Sequence, residues 1–233
     1  YIDQKTSLNF FVNHKFSSKA SMKTGLFFSY YYFDLLDSNR NDATYSFEQR
    51  NFYESSTAFW QPYVQFRIKT SNKLIFNVGL HAQYFALNGS SSIEPRAGMK
   101  WNIKENQSLS VGAGMHSQMQ PAYIYFTHKI DSDGIYVWHN KTLGFTRSIH
   151  NVIGYDIAVS KNLRVKAEAY YQYLYEAPVD IYSSSFSLLN QGSGFDRFFP
   201  DTLTNKGTGN NIGMELTIEK FFSNPEHSGF FMI

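Results

Sequence analysis

The residues with the clearest capacity for chemistry are charged side chains set two positions apart. Glu94 and Arg96 have this spacing, and Arg164, Lys166 and Glu168 repeat it. On an extended strand such a spacing places side chains on one face, where opposite charges can pair with each other. Neither set joins a nucleophile to a base, as a hydrolase requires. We therefore predict that the chain is not an enzyme.

Histidine is the other residue type that could hold a metal ion. His128, His139 and His150 follow one another at intervals of 11 residues, a spacing that brings imidazoles together on neither a strand nor a helix. The chain has no cysteine and so no thiolate ligand. We predict no metal site and no cofactor. His116 and Gln118 are interpreted either as ligand contacts or as hydrogen-bonded wall residues.

A long aromatic segment, 121–147, is the best candidate for ligand contact. Exposed rings on a loop can stack on sugar faces or on aromatic siderophores. The alternative is that the rings pack this loop onto its neighbours. The candidate residues are Tyr123, Tyr125, Phe126, Tyr136, Trp138 and His139. A second long segment, 176–210, adds Phe195, Phe198 and Phe199 to the same predicted vestibule.

The elements that must position these groups are β-strands, because apolar residues recur at every second position through nine segments and begin a tenth. In the clearest segment, 74–86, every even-numbered residue is apolar, whereas Asn77, His81 and Gln83 stand between them. This period of two is the strand signal, and no comparable 3.6-residue period is present. The sequence predicts an all-β chain.

The connections between the segments alternate in length. In an antiparallel meander, alternate connections lie at opposite ends of the sheet, so the short turns share one end and the long links share the other. This asymmetry is typical of outer-membrane barrels, which have short periplasmic turns and long extracellular loops. The predicted short turns are 17–19, 70–73, 104–107, 160–162 and 223–226. The predicted long links are 34–56, 87–92, 121–147 and 176–210.

An alternating sheet can lie over a protein core or contact lipid with its apolar face. The segments reach roughly 10–14 residues, which exceeds the usual globular strand of about 5–6 residues and suits a membrane strand of about 9–11. Aromatic residues, 18% of the chain, gather at the segment ends, as at lipid–water interfaces. Near the long links these are Tyr30, Tyr31, Tyr32, Trp60, Tyr84, Tyr173 and Tyr175, and near the short turns Phe16, Trp101 and Phe221.

The opposite, polar face then becomes a lumen wall. The residues predicted to face the lumen are Arg96, His116, Gln118, Arg164 and Glu168. A net charge of +2 is too balanced to indicate a nucleic-acid partner. The predicted fold is an antiparallel up-and-down transmembrane β-barrel, of which residues 1–233 supply about ten strands, and outer-membrane lipid is its expected surroundings.

Three strings carry a family resemblance: EPRAGMKW with QSLSVGAGMHSQMQP, AEAYYQYLYEAPV with SSFSLLNQG, and NNIGMELTIEKFF. They resemble barrel strands of TonB-dependent outer-membrane receptors, particularly those of Bacteroidetes. The resemblance extends over nearly the whole chain. It implies a 22-stranded barrel in the bacterial outer membrane, filled by an N-terminal plug domain that neither this chain nor its visible motifs supply.

The resemblance also implies a function. Such receptors take up a scarce nutrient, for example a siderophore, glycan, cobalamin or peptide, with energy delivered by TonB and its inner-membrane complex through the plug. A surface lipoprotein is a further expected partner. Arg96, His116, Gln118, Arg164 and Glu168 would then face the lumen or the plug. The parent protein is expected to continue beyond both ends of this chain.

Two other functions remain open at this point: a soluble β-sandwich or barrel module that binds carbohydrate, and a passive porin. The membrane hypothesis predicts one sheet with its strands in sequential order. It also predicts that Leu74, Phe76, Val78 and Leu80 lie on the convex face with no second sheet packed against them. A soluble module would bury these four side chains.

Overall fold

The computed structural model describes residues 2–40, 45–130, 132–191, 200–224 and 227–232. Its dominant feature is one antiparallel sheet of ten strands, in which each strand pairs with the next long strand along the chain. The strands of this sheet are β1 (Ile2–Lys15), β2 (Ala20–Arg40), β3 (Phe47–Lys69), β4 (Leu74–Phe85), β5 (Ser90–Lys104), β6 (Gln107–Gln118), β9 (Thr146–Ser160), β10 (Leu163–Asp180), β11 (Leu203–Asn224) and β12 (His227–Met232).

The segment between β6 and β9 also contains regular secondary structure. It comprises a single-turn helix, α1 (Ala122–Tyr125), and a small separate hairpin of β7 (Lys129–Ile130) and β8 (Tyr136–Val137). A short 3-10 helix, Leu188–Asn190, follows β10. No helix among the described residues has the length and apolar character needed to cross a membrane.

The short turns lie where the sequence predicts them. Phe16 N donates to Ala20 O at 3.0 Å and Thr70 N donates to Leu74 O at 3.1 Å, which closes the β1–β2 and β3–β4 connections. The strands β5 and β6 are separated by two residues, as are β9 and β10. The last predicted turn includes residues 225 and 226, which lie outside the described residues.

Three of the four predicted long links are shorter than expected, because strand pairing continues into them, whereas the link 121–147 remains long. β2 and β3 pair from Ala20 with Ile68 as far as Arg40 with Phe47, so most of the predicted link 34–56 is strand. At about 3.3 Å per residue, strands of 21 and 23 residues exceed a hydrocarbon core of about 30 Å. The upper part of this hairpin therefore projects beyond the membrane.

Two other predicted long links, 87–92 and 176–210, are shortened in the same way. Residues 86–89 form the whole β4–β5 connection, with Gly89 at φ +73°, a conformation that favours glycine. The predicted long link 87–92 is thus a tight turn. In the link 176–210, β10 continues to Asp180 and β11 begins at Leu203.

The apolar face of the sheet is open to its surroundings. Ile212, Met214 and Leu216 are 83%, 85% and 62% exposed, and no second sheet packs against this face in the described part of the chain. Val78 and Leu80 are exposed and Leu74 and Phe76 are part-exposed. These observations confirm the sequential single sheet and contradict the soluble module, because water-exposed apolar bands of this kind are disfavoured.

The aromatic residues at the strand ends fall on both faces. The outward-facing rings of Tyr30, Trp60 and Tyr84 near the long links are each more than 40% exposed, as are Phe16, Trp101 and Phe221 near the short turns. Tyr31 is one of the aromatic residues predicted to lie at the lipid–water interface near the long links, but it is 9% exposed and packs on the polar face. Its odd position in β2 explains the difference, since alternate residues point to opposite faces.

Candidate functional site

The long-link end of the polar face is covered by the segment 121–147, which folds inward onto β2, β3 and β4. We call this segment the cap loop. Ile124 N donates to Pro121 O at 3.0 Å, which helps close α1 and directs its apolar residues toward the sheet. The buried core that results is Tyr31, Phe33, Leu35, Phe59, Phe85, Ile124, Tyr125, Phe126, Leu143, Phe145 and Leu203.

Tyr125 and Phe126 occupy the centre of this core, and neither side chain has exposed surface. The Tyr125 hydroxyl accepts a hydrogen bond from Gln120 N at 2.9 Å, and burial raises the pKa of Tyr125 to about 12. Phe126 stacks on Tyr53 with ring centroids 3.9 Å apart. Packing against the sheet leaves neither ring with solvent-exposed surface, and ligand contact by Tyr125 and Phe126 stays a prediction.

Of the other four candidates, Tyr123 and Trp138 pack against the edge of the core. Tyr136 is 40% exposed, whereas Tyr123, Trp138 and His139 are half-buried. Trp138 Nε1 donates to Phe52 O at 3.2 Å, which ties the cap loop to β3. Ligand contact by these four residues stays a prediction, and Tyr136 has the most accessible ring of the set. The predicted contributors Phe195, Phe198 and Phe199 lie outside the described residues.

Side-chain amides attach the cap loop to strands that are distant in sequence. Asn140 Nδ2 donates to Thr127 Oγ1 at 3.0 Å and to Asp201 O at 2.9 Å, and Asn140 Oδ1 accepts from Leu203 N at 2.8 Å. On the other side, Asn88 Nδ2 donates to the carbonyls of residues 141 and 143. These bonds satisfy backbone groups that the buried loop would otherwise leave unpaired.

An ion pair strengthens the same attachment. Lys129 in β7 contacts Asp201 at the start of the β11 region. Hydrogen bonding to the Lys129 ammonium lowers the pKa of Asp201. Both side chains are about half exposed, so solvent weakens this interaction. The buried hydrogen bonds of Asn140 therefore contribute more to holding the cap loop.

Below the cap loop, a buried carboxylate organises the polar face. Glu94 is 1% exposed, and its Oε2 lies 2.7 Å from Arg96 Nη2 and 2.9 Å from His81 Nδ1. Its Oε1 accepts from Ser92 Oγ at 3.1 Å and from Gln83 Nε2. Both carboxylate oxygens are thus satisfied, which a buried charge requires. The Glu94–Arg96 pairing predicted from their spacing is confirmed.

His116 and Gln118 line a neighbouring cavity of about 240 Å³ on the polar face. The His116 ring centroid lies 6.2 Å from that of His150 on β9, and Gln172 closes the cavity from β10. A cluster of three or more metal-ligating side chains is not found among the described residues. The arrangement offers imidazole and amide groups for hydrogen bonding to a polar molecule.

Near the short turns, charges on β9, β10 and β11 compensate one another. Arg164 Nε donates to Asp156 Oδ1 at 2.9 Å, and Arg164 Nη1 donates to Glu219 Oε2 at 3.2 Å. Lys166 Nζ lies 2.6 Å from Glu168 Oε2. Arg164 and Glu168 share the polar face with Arg96 and His116, as their register across β5, β6, β9 and β10 requires.

An exposed apolar face, a polar opposite face and many strands long enough to cross a bilayer are typical of part of an outer-membrane β-barrel. Comparison with solved structures shows which barrels have this fold. The chain has the fold of part of a TonB-dependent outer-membrane receptor barrel, and the predicted outer-membrane location agrees with that fold.

Three of the similar structures illustrate the match. The FrpB iron transporter from Neisseria meningitidis is 13% identical, with a TM-score of 0.63 over 94% of this chain and 34% of its own. The siderophore receptor PirA from Pseudomonas aeruginosa is 12% identical, with a TM-score of 0.68 over 96% and 40%. The RagAB peptide transporter is 12% identical, with a TM-score of 0.65 over 96% and 28%.

This chain therefore spans about a third of the length of the solved structures that it matches. No protein-family model matches it, and no curated protein matches it by sequence. The similarity is one of fold. As receptors and transporters, these structural neighbours agree with the prediction that the chain is not an enzyme.

The predicted site residues thus fall into three groups: the cap loop, the Arg96 and His116 region, and the charged wall near Arg164. Sequence reasoning missed His81, Gln83 and Asn140 as organising residues. His81 and Gln83 could have been found, because the alternation places them on the same face as one another and antiparallel pairing brings His81 opposite Glu94. Asn140 gave no comparable signal, since its partners are set by the folded cap loop.

Proposed function

We propose that the full-length protein takes up a scarce nutrient through the outer membrane by TonB-coupled active transport. The observation that carries this proposal is the match of the ten-stranded sheet to barrels of uptake proteins over 94–96% of the chain. The chain supplies part of the barrel wall. A plug domain and further strands belong to the proposal, because the wall alone provides no coupling to TonB.

The cap loop supports gated transport over a passive porin. It lies on the polar face, which is the face that lines a channel, and its core residues are almost completely buried. Such a loop narrows the lumen at the long-link end. A passive pore works best with an open, water-filled lumen, whereas a receptor that binds its cargo needs a structured surface there.

Iron bound to a siderophore and peptides are the favoured substrates, because similar solved structures are an iron transporter, a siderophore receptor and a peptide transporter. Glycans and cobalamin are the other candidates. Tyr136, Tyr123 and Trp138 would contact the substrate from above, with His116 and Gln118 on the wall below. A surface lipoprotein would cover the exposed apolar residues of the β7–β8 hairpin, where Ile130 and Ile135 are each 60% exposed.

The proposal is tested by expressing the full-length protein in a Gram-negative host that lacks its own siderophore and peptide receptors. Uptake of a panel of labelled ferric siderophores, short peptides, oligosaccharides and cobalamin is measured in cells with and without TonB. We expect saturable uptake of one class, abolished when TonB is absent. Uptake that is unsaturable and indifferent to TonB would instead identify a passive porin.

A further inference from the structure

The polar face carries a second charged region, at the short-turn end of β1, β2 and β3, that differs from the wall around Arg164. A groove of about 580 Å³ lies here, and five of its lining residues are cations. We call these residues the basic patch. They are Lys15, Lys19, Lys23, Arg67 and Lys69.

Strand pairing concentrates the basic patch. Lys15 is opposite Ser21, which is opposite Arg67, so these two cations belong to one row across three strands. Lys23 occupies the next row up, between Asn13 and Gln65. Lys69 N donates to Lys19 O at 2.7 Å, which brings the backbones of two lysines together at the turn. Like charges so placed repel each other.

The sequence supplies no carboxylate to relieve this repulsion locally. No aspartate or glutamate occurs between Asp3 and Asp34 or between Glu54 and Glu94. Among the described side chains, no ion pair joins a member of the basic patch to a carboxylate. Arg164, by contrast, has two carboxylate partners. The positive charges of the polar face are therefore paired with carboxylates near Arg164 but not in the basic patch.

Aromatic rings hold one member of the patch in place. The Lys23 ammonium lies 4.5 Å from the centroid of the Phe11 ring and 6.0 Å from that of Tyr63. Cation–π contacts of this kind orient an ammonium without neutralising it. The Lys23 charge therefore stays available to an anion in the groove, and all five cationic side chains are solvent-exposed.

We propose that the basic patch is a binding site for a small multivalent oxyanion, a polycarboxylate or a phosphate. A concave wall with charges of one sign focuses its field and concentrates counter-ions, and the groove has the volume typical of small-molecule sites. Asn13 and Asn77, which also line the groove, provide amide donors beside the cations. This site goes beyond the proposed function, since it exists whichever nutrient the protein transports.

The test uses the full-length protein in detergent and measures binding of citrate and of pyrophosphate by isothermal titration calorimetry, with uncharged sucrose as the ligand control. The double variant R67Q/K69Q removes two charges from the groove. The matched control is K161Q, which removes a cation from the β9–β10 turn, at the same end of the sheet but outside the groove. Citrate and pyrophosphate distinguish a carboxylate from a phosphate preference.

We expect salt-sensitive binding of at least one anion, weakened about tenfold or more in R67Q/K69Q and unchanged in K161Q. In the absence of anion, R67Q/K69Q should also unfold at a higher temperature than the wild type, because repulsion is relieved. No binding, or equal weakening in both variants, overturns the proposal. A lower unfolding temperature in R67Q/K69Q also overturns it, because a protein segment would then occupy the groove. None of these outcomes depends on nutrient uptake.

Discussion

The ring of Phe126 lies flat on the ring of Tyr53, with centroids 3.9 Å apart and an interplanar angle of 13°. Tyr53 belongs to β3 and Phe126 to the cap loop, which are separated by the whole of β4, β5 and β6 along the chain. This contact joins the loop to the wall on which it rests. The cap loop is consequently packed against the folded sheet.

Truncation of Phe126 should release the cap loop. F126A removes a fully buried ring and leaves a cavity, a change that costs about 3–5 kcal/mol in protein cores. Amide hydrogen exchange across 121–147 should accelerate, while exchange in β9 and β10 stays slow. Y136A serves as control because Tyr136 is 40% exposed, and it should leave exchange nearly unchanged. Equal protection of the loop in F126A and wild type would refute this role for Phe126.

Removal of the Asn140 amide should have a similar, smaller effect. N140A loses two donated bonds and one accepted bond, and it leaves Leu203 N without its partner. An unsatisfied buried group costs about 1–3 kcal/mol. We expect faster exchange of the Leu203 amide and faster proteolysis of the cap loop. N106A, which removes an exposed amide bond to Ala158 O in a turn, should change neither; matching effects in the two variants would count against a specific role.

The stability of the cap loop should fall in mild acid. Both ring nitrogens of His128 are buried and without a hydrogen-bond partner among the described residues, and burial lowers the pKa of His128. The opened loop therefore binds a proton more readily than the packed loop. Well above the ordinary histidine pKa of about 6.5, His128 is neutral in both states and does not change the stability of the packed loop. As the pH falls through that value, the packed loop loses stability relative to the opened loop.

Hydrogen exchange of the cap loop at pH 7.5 and 5, corrected for intrinsic exchange rates, checks this prediction. Opening should increase at pH 5 in the wild type and change little with pH in H128F, which keeps a ring beside Tyr136. H139F, which replaces the other histidine of the cap loop, is the matched control. If the pH response persists in H128F and disappears in H139F, protonation of His128 is not its cause and the prediction is wrong.

The ring of Tyr170 on β10 lies against Gly213 on β11. Gly213 is opposite Tyr170, and a Cβ at Gly213 would overlap the Tyr170 ring. G213A should therefore lower the temperature at which the folded barrel unfolds on heating in SDS. G98A on β5 is the control, since its added Cβ would have only Val111 O within contact range, at 3.6 Å. If both variants unfold at the wild-type temperature, the Tyr170 ring moves aside at little cost in stability and the prediction is wrong.

Much of the sheet was predictable because the strand period is a local property. Leu74, Val78 and Leu80 alternate with polar neighbours wherever the chain folds, so their common face follows from the sequence. The upper bounds of the strands were not predictable in this way. Arg40 and Phe47 become paired because β2 and β3 continue to pair beyond a register shift between Asp37 and Ser38, and this pairing depends on the partner strand.

The cap loop shows the limit of sequence reasoning more clearly. Its aromatic content indicated a special role, yet the same rings suit an exposed binding surface or a buried core. Tyr125 is buried because Phe85 lies 5.7 Å away, centroid to centroid, on β4, a neighbour that no local pattern specifies. Conversely, the two-residue spacing of Glu94 and Arg96 correctly placed them on one face, where pairing with each other was one of the expected outcomes and is the one observed.

The central claim is that one face of this sheet contacts lipid and the other faces an aqueous lumen. The chain contains no cysteine, so single cysteines introduced at Leu216 and Glu215, which are adjacent and both exposed, can carry spin labels in the full-length protein reconstituted in liposomes. The account predicts that the label at 216 is relaxed by oxygen in the bilayer and the label at 215 by a water-soluble nickel complex. Equal access of the nickel complex to both labels would contradict it.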